Sequence, residues 1–138
     1  MRVLLGVDFG LKRVGLALAR GELAEPWKVV ELKKAVGEIA RGADREGIEA
    51  IVVGLSEGAM ARATREFARD INKKVGLPVF FQDETLSSQE MKEKLRQLPL
   101  KKRRGAIDHY VAAAVLQDFI DSRSSSRPTG VSHSTLDE

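Results

Sequence analysis

The chain of 138 residues has 43% hydrophobic residues, 23 basic and 20 acidic side chains for a net charge of +3, two histidines and no cysteine. That length fits one domain with one well-buried core, and the missing cysteines exclude a disulfide scaffold, a thiolate zinc site and a cysteine nucleophile. His109 and His133 are too few for a histidine-rich metal centre.

No apolar run reaches the length of a membrane span. Met1-Arg2 leads straight into a strand pattern rather than a signal peptide, so a cytoplasmic location is expected. The charges beyond position 121 cancel, and Lys101-Lys102-Arg103-Arg104 alone supplies four positive charges. The basicity is therefore local. Such a patch attracts polyanions, although a solvated loop is the commoner fate of so short a run.

The first stretch, Arg2-Val3-Leu4-Leu5-Gly6-Val7-Asp8-Phe9-Gly10, is an apolar run that climbs to a single carboxylate and stops at a glycine. It reads as a strand over 3–7 buried on both faces. Val14 to Ala19 reads as a second strand, joined by a link of hairpin length with glycine near its start. Gly15 and Ala17 fall on one face of it, leaving room for something large to pack there. A third extended piece over Trp27–Leu32 completes an antiparallel meander.

The period then changes. Ala35, Val36, Ile39, Ala40 and Ala43 mark a helix over 33–46, and Glu49–Leu55 is a second buried-strand pattern. Ala63, Phe67, Ile71 and Val75 mark the next helix, closed by Gly76 and Pro78. Val79-Phe80-Phe81-Gln82 is a short strand running into Asp83-Glu84. Ser87 with Glu90 forms a capping box that opens a helix to about Leu98. Ile107, Val111, Ala114, Val115 and Phe119 mark a last helix, and from Ser122 the composition turns to that of a mobile tail. One domain over 1–121 and a tail over 122–138 are expected. The order implies an α/β fold: a mixed sheet of three antiparallel strands followed by parallel ones, with helices on both faces.

Three acidic positions end or begin elements that otherwise read as buried: Asp8, the pair Asp83-Glu84, and Asp108. Sites in open α/β sheets form at the carboxyl ends of parallel strands. Carboxylates gathered there repel one another unless cations neutralise them. Mg²⁺ or Mn²⁺ suits such an all-oxygen set, and two such ions suit phosphodiester hydrolysis. Each residue also has a plainer role. Asp8 fits a turn, one of Asp83 and Glu84 fits a turn cap, and Asp108 fits a helix first turn. Ala112, Ala113 and Ala114 allow the last helix to approach the sheet closely, carrying Asp108 toward Asp8. Gly10 suits a phosphate approach or a plain turn, Lys12 and Arg13 suit phosphate contact or a solvated surface, and His109 reads as a helical surface residue.

Val7-Asp8-Phe9-Gly10-Leu11-Lys12-Arg13-Val14-Gly15-Leu16-Ala17 resembles the opening motif of the YqgF (RuvX) proteins. Val52-Val53-Gly54-Leu55, Asp83-Glu84-Thr85-Leu86-Ser87-Ser88 and Ile107-Asp108 with Ala112-Ala113 and Leu116-Gln117 are similar to three further motifs of that family, in the same order. The resemblance implies an RNase H-like fold related to RuvC resolvases. It also implies a metal-dependent nuclease that processes the 5′ end of pre-16S ribosomal RNA, or alternatively resolves Holliday junctions. It makes Asp8, Glu84 and Asp108 the catalytic, metal-binding acids. Thr85, Ser56 and His109 depart from the family pattern at positions that bear on substrate contacts.

The expected protein is thus a nuclease using Mg²⁺ or Mn²⁺, with Lys12, Arg13, Lys101, Lys102, Arg103 and Arg104 holding nucleic acid by its phosphates. Pre-rRNA is favoured over branched DNA, and no membrane partner is expected. Two rivals are a sugar-kinase-like ATP-binding half, which needs a second domain, and an RNA-binding module that does not cut.

Overall fold

The computed structural model describes residues 2–55, 58–84 and 106–124. In chain order these form β1 (Leu4–Asp8), β2 (Arg13–Ala19), β3 (Ala24–Glu31), α1 (Leu32–Glu46), β4 (Ala50–Leu55), α2 (Met60–Val75), β5 (Val79–Asp83) and α3 (Ala106–Ser124). The sheet order is β3-β2-β1-β4-β5. β1–β2 and β2–β3 pair antiparallel, whereas β1–β4 and β4–β5 pair parallel. This is the mixed α/β sheet that the element order implies. No described helix is long and apolar enough to cross a membrane.

β1 and β4 are central and covered on both faces, which is why they read as unbroken apolar runs. Leu5, Val7, Ile51 and Val53 point into a core shared with Ile39 of α1 and Phe67 and Ile71 of α2. Leu4 and Val52 point the other way, into a second core with Val111, Leu116 and Phe119 of α3. Two helices therefore cover one face and α3 covers the other.

The helix α3 lies very close to the sheet, and Gly6 is the reason. A Cβ at Gly6 would stand 2.8 Å from the Ala112 carbonyl oxygen and 2.8 Å from the Leu116 Cβ. Ala17, fully buried, belongs to the same core, so the small residues of β2 are covered by α3 as expected. Close approach also widens the buried stripe of α3 to Val111, Ala112, Val115, Leu116, Phe119 and Ile120, leaving Ala114 only half-buried. Gln117 ties the helix to the β2–β3 hairpin, accepting from the Ala24 N–H at 2.9 Å and donating to the Glu22 carbonyl at 2.8 Å.

Two boundaries differ from the sequence reading. β3 starts at Ala24 rather than Trp27 and contains Pro26. It is an edge strand of the described sheet, where a proline need not cost a ladder hydrogen bond. The pairing of β2 with β3 slips beside Trp27, whose ring lies against Gly42 of α1. The helix α3 runs past 121 to Ser124, and Arg123 there stacks on Phe119 at 4.5 Å and Phe80 at 5.2 Å. The helix expected near 87–98, the Lys101–Arg104 run and the chain beyond 124 lie outside the described residues, as do Ser56 and Thr85.

Candidate active site at the carboxyl edge of the sheet

The carboxyl ends of β1, β4 and β5 share one edge of the sheet. Asp8 is the last residue of β1, 5% exposed, and is paired across β2 with Gly15. Val7 is level with Val53, so Asp8 stands beside Gly54, and Gly54 is level with Gln82. Glu84 follows β5, and its backbone N–H donates to the Leu55 carbonyl at 3.0 Å. The parallel ladder thus continues one residue past Asp83.

Strand alternation assigns the faces. Leu4, Gly6 and Asp8 are on the α3 face, and so are Phe80, Gln82 and Glu84. Asp83 shares the opposite face with Phe81 and is exposed. Of the acidic pair that the residues alone left open, Glu84 is the one on the same face as Asp8. The two backbones are about 10 Å apart across two strand spacings, with Glu84 about 7 Å further along.

Asp108 is the third residue of α3, one turn before Ala112. Because the Ala112 carbonyl lies over Gly6, four residues of helix (about 6 Å) and two residues of strand (about 7 Å) bring the backbones of Asp108 and Asp8 to the same level. The small residues at 112–114 and the glycine at 6 act together here. The side chain of Asp108 lies outside the described residues.

The β1–β2 turn borders this edge. A Cβ at Gly10 would stand 2.5 Å from the Arg13 carbonyl oxygen, so the tightness of the turn alone accounts for that glycine. Phe9 fixes the turn to α2 through Phe67, at 5.0 Å between ring centroids. The Leu32 N–H, at the start of α1, donates to the Lys12 carbonyl at 2.9 Å. Lys12 and Arg13 are exposed on and just after this turn. His109 is half-buried with its ring 4.9 Å from Tyr110.

Sequence reading passed over Gln82. It is 8% exposed, and its Oε1 is buried with no hydrogen-bond partner among the described residues. A lone amide directly after the apolar run Val79-Phe80-Phe81 is the signal that marks it, since burying an unpaired acceptor costs free energy.

Among the described residues, no three acidic or histidine side chains gather closely enough to hold a metal ion. Asp8 and Glu84 are two of the expected acids, and the side chain of the third is not among those described. The donors on this face are all oxygens, namely two carboxylates and the orphaned Gln82 carbonyl. A hard cation such as Mg²⁺ is commonly held by one or two carboxylates together with water and substrate phosphates. The residues present fit such an ion. A cleft of about 790 Å³ lined by Leu18, Arg20, Trp27 and Glu46 lies at the other end of β2 and includes neither Asp8 nor Glu84.

Comparison with known proteins places the fold and the chain. Curated relatives include a protein of Anaeromyxobacter sp. (strain Fw109-5), 39% identical over 86% of this chain and 96% of its own length. Another, from Syntrophus aciditrophicus (strain SB), is 36% identical over 88% of this chain and 89% of its own. Both carry the name "Putative pre-16S rRNA nuclease". Among solved structures, T. thermophilus RuvC in complex with a Holliday junction substrate matches with a TM-score of 0.59 and 18% identity, over 91% of this chain and 98% of that one. That likeness shows the RNase H-like fold. Residues 2–122 match the family described as RuvX, Holliday junction resolvase, and the chain belongs to that family.

Proposed function

We propose that this protein is a divalent-metal-dependent nuclease that hydrolyses phosphodiester bonds in structured RNA, acting in the cytoplasm on the 5′ end of pre-16S ribosomal RNA. The observation that carries the reading is that Asp8 and Glu84 lie on one face at the carboxyl edge of the sheet, beside the helix whose first turn carries Asp108. The names of relatives at 36–39% identity support the RNA substrate.

In this reading Asp8, Glu84 and Asp108 hold Mg²⁺ or Mn²⁺. Such an ion supplies a nucleophilic water and stabilises charge on phosphate oxygens. Asp8, buried at the strand end, fixes the position of the reacting phosphate relative to the sheet. Lys12 and Arg13, exposed on the adjoining turn, hold flanking phosphates, as do Lys101, Lys102, Arg103 and Arg104. A second reading, cleavage of branched DNA, is favoured by the family description.

The test incubates purified protein with labelled precursor RNA and with branched DNA in Mg²⁺, Mn²⁺ or EDTA. Cleavage of RNA in either metal and none in EDTA is expected. Cleavage confined to branched DNA would move the substrate to the second reading. Binding of RNA without cleavage in any metal would make the protein a binding module.

A further inference from the structure

The two helices on the α1/α2 face treat their surface charges differently. On α1 the exposed cations are matched: Lys33 and Lys34 to Glu31 at 3.9 and 3.5 Å, Arg41 to Glu38 at 2.8 Å and Arg45 to Glu46 at 3.4 Å, with half-buried Lys28 of β3 sharing Glu38 at 3.0 Å. Arg20 also pairs with Glu46. On α2 the one ion pair among the described residues is Arg62 with Glu66 at 3.6 Å. Arg65, Arg69 and Lys73 are exposed and make no ion pair within 4 Å among the described residues.

These cations are not scattered. Arg62, Arg65, Arg69 and Lys73 recur at helical spacing, within an arc of about 80° and a length of about 16 Å. The stripe lies away from the buried face formed by Thr64, Phe67, Ala68 and Ile71. Asp70 is about 100° round the helix from its centre. The guanidinium of Arg65 stacks on Phe81 at 5.2 Å, which fixes the stripe beside the outer strand β5.

Direction matters as much as charge. The helix α2 connects the parallel strands β4 and β5, so its first turn lies at their carboxyl edge. Arg62 therefore stands near the edge that carries Asp8 and Glu84, and the stripe leads away from it along the flank of the sheet. We propose that Arg62, Arg65, Arg69 and Lys73 form a track for the phosphodiester backbone of the nucleic acid on one side of the bond to be cut. This proposal rests on the nuclease reading above. The stripe holds no aromatic side chain on which a base could stack, so it grips backbone without reading sequence.

The test measures binding of a structured RNA by fluorescence anisotropy from 50 to 400 mM KCl, in an Asp8→Asn background so that nothing is cut. Each lost phosphate contact lowers the slope of log affinity against log salt by about 0.7–0.9. The Arg65→Gln/Arg69→Gln/Lys73→Gln variant is expected to lose about 2–3 from that slope and on the order of 10²-fold in affinity at 0.1 M salt. Arg65→Lys/Arg69→Lys, which keeps the charge, is expected to retain the slope. Lys33→Gln/Lys34→Gln/Arg41→Gln on α1 is expected to change neither quantity. A triple α2 variant that binds with the unaltered slope and affinity overturns the track and leaves the nuclease reading standing. Absence of salt-dependent binding by the parent protein overturns both.

Discussion

Replacing Gly6 with alanine is expected to unseat α3 and the candidate site together. The new Cβ would stand 2.8 Å from a backbone oxygen and 2.8 Å from a Cβ, both on α3, and 3.3 Å from the Leu116 Cδ2. Ordinary carbon contacts are about 3.5–4.0 Å, and neither of the two nearest atoms moves by a rotamer change. The helix must lift by about 0.7 Å or more, loosening its contacts with Leu4, Ala17 and Val52. Overpacking of this kind costs about 1–3 kcal/mol, and relief through backbone movement puts Gly6→Ala at the upper end. For a domain of this size a loss of 2–3 kcal/mol lowers the melting temperature by roughly 6–15 °C. The same shift moves the helix that carries Asp108 away from Asp8, and a misplacement near 1 Å costs up to about 10²-fold in rate. Gly37→Ala is the control. Its Cβ meets the tip of Arg41 at 3.5 Å, and an alanine inside α1 is expected to stabilise by about 0.5–1 kcal/mol. Thermal melts followed by circular dichroism, with cleavage rates on the same preparations, decide the matter. A Gly6→Ala protein that melts within about 2 °C of the parent would refute the reasoning.

Two further outcomes follow from single side chains. The hydrogen bonds from Arg41 and then Lys28, with the charge of Lys28, hold the Glu38 carboxyl at about 2, below its ordinary 4.5. Its contribution to stability is therefore complete above about pH 4.5 and is lost as pH falls from there through about 2. Melting curves over that window should fall less steeply for Glu38→Gln than for the parent, and parallel curves would contradict the ion-pair account. Gln82→Met removes a buried acceptor that has no partner among the described residues while nearly conserving volume, so a gain of about 1 kcal/mol is expected. It is read as a higher urea midpoint at unchanged slope, and a lower midpoint would show that the amide is satisfied after all.

Much of this architecture was legible because local pattern and burial agree. The apolar runs ending at Asp8 and at Leu55 are strands covered on both faces, and the helical stripes of α1 and α2 face one core. What stayed hidden depends on contacts distant in sequence. Gly6 read as one more residue of a buried run, because its role appears only once Ala112 and Leu116 lie over it. The motif resemblance singles out Glu84, but why it rather than Asp83 shares a face with Asp8 depends on strand register, which the Glu84–Leu55 hydrogen bond and the level pairing of Gly54 with Gln82 define. Trp27 read as the start of a strand, although the strand begins earlier and its pairing slips beside that residue. Arg65, Arg69 and Lys73 of α2, without ion pairs among the described residues, were visible in the sequence, but their contrast with α1 needed the positions of Glu31, Glu38 and Glu46.

The central claim is that Asp8 and Glu84, on one face of the sheet, hold the metal at which phosphodiesters are cut. It is tested most directly by single-turnover cleavage of labelled precursor RNA in Mn²⁺ by Asp8→Asn, Glu84→Gln and Asp83→Asn, each confirmed folded. The account predicts losses of at least about 10²-fold for Asp8→Asn and Glu84→Gln, and a rate within a few fold of the parent for Asp83→Asn. Cleavage that survives Asp8→Asn, or that is lost with Asp83→Asn and kept with Glu84→Gln, would contradict it.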